Sequence, residues 1–433
     1  MSNPKSTVEL LAYEETLSCV QCGYCLPACP TYKTMKKETQ SPRGRINLVK
    51  MAAEGKLSID KLQEPIDLCL GCRACETACP TNVQYGSILE SAKEAIQQEK
   101  NKTMDLKTKL FRKSLFNYTF PNKRMLQGIG AGMTVYQASG LQKLTHKTGI
   151  IKKVLPEHMA EFDLIVPKQP ALFARKKRPI KHLSEKKPVL SIGFFSGCVM
   201  DAVFSKINDL SIKLLQKAGC DVTVIKEQTC CGALHSHSGE MDHAKELAKK
   251  NIEAYEKYSF DYIVNSIGGC GAMLVEYDHL LKNDPKWAER AKEFSKKAVD
   301  ISVILSQLQL PFTHKVDRIV TYQPSCHMTN VQKTVKEPKD LLRSIPGIRF
   351  VELQDENMCC GSAGIYNLVN YQESMEILDQ KMVNVKRVKP DMIVTTNPGC
   401  HLQMKLGVKR EQMSDAVEVV HLVELLANAC EIE

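Results

Sequence analysis

Two cysteine runs near the N-terminus have the residue types and the spacing of a metal-binding unit. The first reads CVQCGYCLPACPTY at residues 19–32, and the second reads CLGCRACETACPTN at residues 69–82. In each run the cysteines are separated by two, two and three residues, and a proline follows the last one. Spacings of two residues let a tight turn bring three thiolates onto one face of a metal centre, so these runs predict soft-metal chemistry.

The same spacing favours iron–sulfur clusters over zinc. Zinc sites usually pair two cysteines with two more after a spacer, and they need neither a third cysteine two residues on nor a fourth before proline. In two-cluster proteins with this spacing, the fourth cysteine of one run ligates the other cluster. We therefore predict two [4Fe-4S] clusters, one held by Cys19, Cys22, Cys25 and Cys79 and the other by Cys69, Cys72, Cys75 and Cys29.

A second set of cysteines belongs to an internal repeat after residue 188. Three pairs of segments match at offsets of 128, 129 and 130 residues: LSIGFFSGC with DRIVTYQPSC, DVTVIKEQTCCG with IRFVELQDENMCCG, and DYIVNSIGGC with DMIVTTNPGC. Each cysteine follows an apolar, β-branched run, and helical stretches such as 204–219 lie between, which predicts parallel α/β layers. The cysteines should gather at the carboxyl edges of the strands. They form two predicted cups, Cys198, Cys230, Cys231 and Cys270 in the first and Cys326, Cys359, Cys360 and Cys400 in the second.

The contents of these cups stay open at the level of sequence. Four thiols could hold a further iron–sulfur cluster or a zinc ion, or remain ordinary thiols, and the glycine after each cysteine pair would let the backbone approach a bulky cluster. Nearby histidines could ligate metal, although a structural role is favoured: these are His235, His237, His327 and His401. Cys220 and Cys430 lack repeat partners, so we expect them to be packed apolar residues.

A helix is predicted between the two N-terminal runs, in SPRGRINLVKMAAEGK at residues 41–56. Ser41 can cap it, Pro42 suits its first turn and Gly55 can end it. One face would carry Ile46, Val49 and Ala53. Arg43 and Arg45 are expected to be surface charges or helix-end contacts; if they faced a cluster, they would raise its reduction potential by favouring the more negative reduced state.

Length and composition indicate the class of protein and the kinds of partner it could have. The chain has 433 residues, of which 43% are hydrophobic and 25% charged, as in a globular protein of several domains. Much of its formal net charge of +10 lies in tracts 100–113 and 174–187, which suit a solvated linker, an acidic partner subunit or an anionic membrane surface. No aromatic residues interleave with these charges in a stacking pattern, so nucleic acid is not expected as a partner.

The N-terminus lacks a signal-peptide core, and no apolar run approaches the length of a membrane span, which predicts a cytoplasmic location.

These elements predict an α + α/β protein with four regions. An α-helical ferredoxin-like domain with the two cluster motifs spans 1–100, and a basic helical or linker region spans 101–188. Two tandem α/β cysteine-rich (CCG) domains follow at 189–310 and 311–433.

Several motifs together resemble the iron–sulfur subunit family of glycolate oxidase (glycolate dehydrogenase). They are CVQCGYCLPACPTY, SPRGRINLVK, CLGCRACETACPTNVQYG, FSGCV, CCGALHSHSGE and CCGSAGIYN. The helical connection between the N-terminal runs is similar to that of succinate dehydrogenase iron–sulfur subunits, and the cups resemble heterodisulfide-reductase cysteine-rich domains. Met273 and Gln403 stand where full members of the latter have a further cysteine, which disfavours heterodisulfide chemistry and a five-cysteine double cluster.

The resemblance implies a chain that accepts electrons from a separate flavin subunit oxidising glycolate to glyoxylate. It implies transfer to a quinone or another membrane acceptor, with the complex peripheral on the inner face of the membrane. Alternatives are lactate or glycerol-3-phosphate oxidation, a heterodisulfide-reductase-like enzyme, or a zinc-filled scaffold. The sequence carries no GxGxxG fingerprint, phosphate loop or Ser–His–Asp motif, and GIGAG at 128–132 is predicted to be a flexible turn, so no catalytic residue is predicted in this chain.

Overall fold

The N-terminal region folds as short helices around one long helix. The computed structural model describes residues 6–168 and 178–433, so residues 174–177 of the second basic tract lie outside the described residues. The helices of this region are α1 (Tyr13–Leu17), α2 (Pro30–Met35), α3 (Pro42–Ala53), α4 (Gln63–Asp67), α5 (Ala74–Thr77) and α6 (Tyr85–Thr103), with 3₁₀ turns at Glu38–Gln40 and Ile59–Leu62. The first three cysteines of the first run lie in the loop between α1 and α2, Cys29 directly precedes α2, and the cysteines of the second run lie in or within two residues of α4 and α5.

Helix α3 forms where the sequence predicts it. The Ser41 hydroxyl accepts a hydrogen bond of 3.0 Å from the Gly44 N–H, which is an N-cap, and Pro42 occupies the first turn. Gly55, with φ of +71°, follows the last turn in the left-handed conformation that glycine adopts without strain. The predicted face is buried at Ile46 and Val49 and packs against α6, which fixes the chain between the two cysteine runs.

A chain of helices connects this region to the sheets. It comprises α7 (Leu106–Lys113), a π-helical segment (Ser114–Thr119), α8 (Lys123–Ala138), α9 (Leu141–Lys147), α10 (Ile150–Val154) and α11 (Glu157–Asp163). The predicted flexible turn at 128–132 is wrong, because these residues lie inside α8. The Asn122 side chain caps this helix at the Arg124 and Met125 N–H groups, and Leu126, Gly130 and Thr134 are buried along one side. Capping and packing offset the cost of about 1 kcal/mol that each helical glycine carries.

The first cysteine-rich repeat is built on a five-stranded sheet. Its strands are β1 (Lys181–His182), β2 (Leu190–Phe194), β3 (Cys220–Val224), β4 (Tyr262–Asn265) and β5 (Ala298–Asp300), in the order β1-β3-β2-β4-β5. All neighbours are parallel except β1, which lies in the predicted linker region and pairs antiparallel with β3. The helices are α12 (Val199–Val203), α13 (Ser205–Lys217), α14 (Ala233–His237), α15 (Met241–Glu256), α16 (Gly268–Val275), α17 (Tyr277–Leu281), α18 (Ala288–Lys297) and α19 (Ile301–Gln307).

The second repeat has a four-stranded parallel sheet with the same strand order. Its strands are β6 (Arg318–Gln323), β7 (Ile348–Phe350), β8 (Met392–Thr395) and β9 (Glu418–His421), in the order β7-β6-β8-β9. Its helices are α20 (Cys326–Asn330), α21 (Lys336–Ser344), α22 (Tyr366–Val369), α23 (Tyr371–Val388), α24 (Pro398–Arg410) and α25 (Leu422–Ala429). The predicted parallel α/β layers are confirmed, and all six strands read from the matched segments are present.

The two repeats share one hydrophobic core. Leu214 of α13 and Leu426 of α25 are fully buried in the same cluster of side chains, which includes strands of both sheets. Cys220 and Cys430 are buried in this cluster, as predicted for packed apolar residues. The shared core fixes the two cups relative to each other, and with them the edges of the sheets that carry the cysteines.

Candidate metal centres

The first N-terminal cavity is lined by cysteines from both runs. Cys19, Cys22, Cys25 and Cys79 border about 400 Å³ of empty space, part of which is open to solvent. The first three come from the loop after α1, and Cys79 comes from the end of the second run. These four residues are the set that the ligand spacing predicts for one cluster.

The second cavity has the complementary set. Cys69, Cys72 and Cys75 of the second run and Cys29 of the first border about 300 Å³ of empty space, again partly open to solvent. Cys29, the N-cap residue of α2, borders this cavity and not the first one. Cys75 borders both cavities. The first cavity is thus bordered by five cysteines and the second by four, so each offers the four sulfur donors that a [4Fe-4S] cluster requires.

Burial sets the proton affinity of several of these thiols. It raises the pKa of Cys72 and Cys75 well above the ordinary value and raises that of Cys25 as well. Cys79 differs, because the Thr81 hydroxyl at 3.4 Å and the Val83 N–H at 3.5 Å stabilise its thiolate and lower its pKa despite the opposing effect of burial. Hydrogen-bond donors to sulfur are therefore already in place at the edge of the first cavity.

Arg45 lines the second cavity as a buried charge with neutral partners. Its side chain is 1% exposed and donates to the Pro65 carbonyl at 2.6 Å, the Thr31 hydroxyl at 3.1 Å and the Gln40 side-chain oxygen at 2.9 Å. It forms no ion pair with any residue that the structure describes. Burial alone would lower the pKa of Arg45, but the neighbouring Cys69 raises it, so the group stays a cation. From the sequence, Arg45 was expected to be a surface charge or a helix-end contact, or else to face a cluster. Its burial and its place in the lining of the second cavity favour the last of these hypotheses.

Arg43 lies one cavity away and has a carboxylate partner. Its side chain lines the first cavity, and its Nε lies 2.7 Å from a Glu38 carboxylate oxygen. Hydrogen bonding to Glu38 raises the pKa of Arg43 and lowers that of Glu38. The two arginines of the SPRGR motif therefore differ in charge compensation, which the sequence does not reveal.

The cups at the sheet edges bring the predicted cysteines together in pairs. In the first cup the sulfur of Cys198 lies 3.6 Å from that of Cys230, and the sulfur of Cys231 lies 3.4 Å from that of Cys270. The second cup repeats this arrangement, with Cys326 in contact with Cys359 and Cys360 in contact with Cys400. The pKa values of all four sulfurs of the first cup are raised, those of Cys198, Cys230 and Cys231 by a thiol contact and burial, and that of Cys270 by burial against the lowering effect of its contact with Cys231. Paired sulfurs at these distances would have to separate to admit a cluster, unlike those around the N-terminal cavities.

The glycine of each CysCysGly motif lies against a helix of its own repeat. Gly232 and Gly361 have φ of +92° and +93°, and a Cβ at Gly361 would lie 2.7 Å from the Ser374 carbonyl oxygen. The close approach is therefore to the following long helix, α15 or α23, and it fixes the cysteine pair against that helix.

The two residues that stand in place of a fifth cysteine, Met273 and Gln403, are both buried and packed against neighbouring side chains. Met273 is buried in the hydrophobic core of the first repeat. Gln403 is buried and hydrogen-bonded, accepting from Asn367 at 3.0 Å and donating to Ser374 at 2.9 Å. Neither side chain offers a thiol or a free donor to the cup.

The histidines after the cysteines mostly have structural partners, as favoured from sequence. His235 Nε2 donates to the Phe116 carbonyl at 2.7 Å, and His327 Nε2 donates to the Gly71 carbonyl at 3.0 Å. His401 contacts the Thr395 hydroxyl at 3.4 Å, and burial lowers its pKa to about 2. The His237 ring lies 5.2 Å from the His327 ring between centres, with the two ring planes tilted by 57°. Within residues 6–168 and 178–433, no three His, Cys, Asp or Glu side chains converge closely enough for a single metal ion.

Contacts between the second repeat and the second cysteine run were not predicted from sequence. Besides the contact of His327 with Gly71, the Tyr366 hydroxyl donates to the Leu68 carbonyl at 3.4 Å. Cys72 packs beside Cys326 and Cys359 in a small apolar cluster at this interface. The second cup therefore lies next to the second cavity. Of the residues named at this interface, His327, which follows Cys326, is the one that the sequence marked as a histidine beside a cysteine.

Comparison with known proteins gives a family match to each part of the chain. The 4Fe-4S dicluster domain matches residues 15–83, and the cysteine-rich domain matches residues 192–275 and 320–405. The glycolate oxidase iron–sulfur subunit linker region matches residues 107–166. A Bacillus subtilis protein described as a probable glycolate oxidase iron–sulfur subunit is 47% identical over 96% of this chain and 94% of its own length. The chain belongs to the glycolate oxidase iron–sulfur subunit family.

Two further relatives differ in how much of the chain they match. The glycolate oxidase iron–sulfur subunit of Escherichia coli is 29% identical over 96% of this chain and 94% of its own length. Lactate utilization protein A of Oceanobacillus iheyensis is 34% identical but aligns with 55% of this chain, over 96% of its own length. The resemblance seen in the motifs is confirmed, and the glycolate oxidase iron–sulfur subunits match over almost the whole chain whereas the lactate protein does not.

Proposed function

We propose that this chain is the electron-transfer subunit of a flavin-dependent 2-hydroxy-acid dehydrogenase whose complex oxidises glycolate to glyoxylate. A separate flavin subunit would carry the substrate chemistry, and a quinone or another membrane acceptor would receive the electrons. The observation that carries the proposal is the pair of N-terminal cavities, each of which is lined by the first three cysteines of one run and by the fourth cysteine of the other, with Cys75 also bordering the first cavity. Membership of a family of glycolate oxidase subunits supports the choice of substrate.

The residues of the first cavity would hold one [4Fe-4S] cluster and those of the second cavity another. Such clusters supply one-electron transfer when they are bound. The chain contributes by holding the two positions together, since each run supplies a ligand to the other position. Helix α3 and its buried face keep the runs at a fixed separation.

The protein around the second cavity is suited to a buried anionic centre. This cavity is lined by Leu70, Tyr85 and the uncompensated Arg45, its Cys29 and Cys75 are buried, and the second repeat packs beside it. Around the first cavity, Cys22 is exposed and the nearby Val20 and Tyr24 side chains project into solvent. We infer that the first cavity faces a partner subunit and that the second lies deeper within the chain.

One or two further iron–sulfur or metal centres could fill the cups only if their paired sulfurs separate. Their paired sulfurs and the packed side chains of Met273 and Gln403 do not favour a heterodisulfide-reductase-like activity. We therefore assign no catalytic residue to this chain. A location in the cytoplasm, with the complex peripheral on the inner membrane face, accords with this function; within the described residues no helix could cross a bilayer.

An anaerobic preparation of the full chain tests the proposal. Iron and labile-sulfide counts with electron paramagnetic resonance should give eight irons when the N-terminal pair alone is filled and twelve or more when a cup is also filled. With the flavoprotein partner, glycolate should reduce the clusters and then a dye; the chain alone should do neither. Dye reduction from glycolate by the purified chain alone, or a colourless folded protein filled with zinc, would overturn the proposal.

A further inference from the structure

The connecting helices carry an extreme charge distribution. Residues 106–156 contain ten Lys and Arg and no Asp or Glu, so this segment alone carries a formal charge of +10. Arg112 and Lys123 pair with Glu240 and Asp201 of the first repeat, which anchors the segment to the body. Seven further basic side chains are exposed and form no ion pair with a described residue: Lys107, Lys109, Lys113, Arg124, Lys143, Lys147 and Lys153.

The same helices expose large apolar side chains. Helix α8 buries Leu126 on one side, but Met125, Ile129 and Val135 on its outer side are exposed. Gly128 and Gly132 lie among them, and a Cβ at either would meet no atom within 4 Å, so this side is open. The apolar exposure continues along the neighbouring helices at Leu106, Leu110, Phe111, Leu141, Leu144, Ile150 and Val154. Large exposed apolar patches mark interaction sites, and these side chains follow one another along four successive α-helices.

The chemistry of this surface fits an anionic bilayer better than a protein. Eight of its ten basic residues are lysine, and lysine is depleted in protein–protein interfaces. Interfacial helices combine Lys and Arg with Leu and Phe, because the apolar groups enter the headgroup boundary while the long lysine stems keep the charge at the surface. Anionic lipids attract such basic segments, and the attraction falls off within a Debye length.

We propose that the surface of α7 to α10, here called the linker surface, docks peripherally on anionic lipid bilayers. The chain would then reach the membrane by its own residues, independently of a partner subunit and of the state of the clusters. Phe111 and Ile129 would enter the headgroup region, and Lys107, Lys109 and Lys113 would contact lipid phosphates. This inference goes beyond the proposed electron transfer and stands without it.

Flotation of the full, cluster-containing chain with lipid vesicles tests the inference. Binding to phosphatidylcholine vesicles containing phosphatidylglycerol should rise with the fraction of phosphatidylglycerol and fall with added salt. The variant Lys107→Gln/Lys109→Gln/Lys113→Gln should lower partitioning on the order of 100-fold, at roughly five-fold for each lysine. Phe111→Ser/Ile129→Ser should also weaken binding, and this loss should persist at high salt.

The matched control is Lys250→Gln/Lys257→Gln/Lys282→Gln, which removes the same charge from exposed positions of the first repeat. It should leave vesicle binding close to that of the unmodified chain. Unchanged iron content and melting temperature would show that each variant is folded. The inference is overturned if the chain ignores phosphatidylglycerol vesicles, if both lysine variants lose binding equally, or if the linker-surface variants bind vesicles normally but lose the flavoprotein partner.

Discussion

The side-chain amide of Asn330 donates a hydrogen bond of 2.9 Å to the backbone carbonyl of Cys72. The same side chain accepts a hydrogen bond of 2.9 Å from the Thr77 hydroxyl, so one residue of α20 binds the second cysteine run on both sides of its third cysteine. The second repeat thereby fixes the loop that would hold a cluster. The shape of the second cavity depends on a domain more than 200 residues away in sequence.

Removing this contact should loosen the cluster-binding loop. Asn330→Ala leaves the Cys72 carbonyl without its partner, a change that typically costs about 1–3 kcal/mol. We expect faster bleaching of the visible absorbance in air and a lower melting temperature. Asn47→Ala, which removes an exposed amide from α3, is the control and should change neither quantity. Equal bleaching rates for Asn330→Ala and the unmodified chain would contradict the role assigned to this contact.

The exchange of fourth ligands can be tested by combining variants. We expect Cys29→Ser to destabilise the same cluster as Cys72→Ser, although Cys29 belongs to the first run. Cys29→Ser/Cys72→Ser should therefore lose no more iron than either single variant, whereas Cys29→Ser/Cys22→Ser should lose both clusters. Iron counts and electron paramagnetic resonance measure this, and Cys220→Ala in the distant hydrophobic core is the control. The reverse pattern of losses would mean that each run closes its own cluster.

The charge of Arg45 should set the reduction potential at the second cavity. A buried cation favours the more negative reduced state of an adjacent cluster, and at an effective dielectric constant of about 20 its removal is worth ~1–2 kcal/mol, or roughly 50–100 mV for one electron. Arg45→Gln should lower one of the two midpoint potentials by about this amount, and Arg45→Lys should restore much of it. The measurement is a redox titration followed by electron paramagnetic resonance.

Arg43→Gln provides the comparison for this prediction. Arg43 also lines a cavity, but Glu38 already compensates its charge, so its removal should shift the potentials much less. The interpretation of Arg45 fails if both variants shift the same cluster equally, or if Arg45→Gln retains full iron content with unchanged potentials.

The sequence predicted the local features of this protein, but it did not predict the contacts between regions that are distant in sequence. Ser41, Pro42 and Gly55 act through neighbouring backbone, and cysteine spacing and strand-end position are also local, so their patterns could be read directly. GIGAG was misread because the packing of Leu126 and Gly130 outweighs the low helix propensity of glycine. The shared core of the two repeats and the Asn330–Cys72 contact depend on residues far apart in sequence, and no periodicity encodes them. The difference between Arg43 and Arg45 likewise depends on burial, which only the tertiary structure determines.

Glu90 should make the stability of the chain depend on pH through another interface between regions. It lies on α6 and accepts a hydrogen bond of 3.0 Å from the Ser236 hydroxyl of α14 in the first repeat. Burial, aided by the nearby Glu276 carboxylate, raises the pKa of Glu90 to about 7. The folded state therefore binds this proton more tightly than the unfolded state, and the stabilisation is lost as pH rises through 7.

Glu90→Gln removes this titration while keeping a side chain of similar shape. Relative to the unmodified chain, the variant should become more stable as pH rises from 6 to 8.5, by on the order of 1–3 kcal/mol. Denaturant unfolding of the anaerobic protein at several pH values measures the difference, with Glu253→Gln on the exposed side of α15 as the control. A constant difference across this range would mean that Glu90 is ionised throughout and that the α6–α14 interface already accommodates its charge.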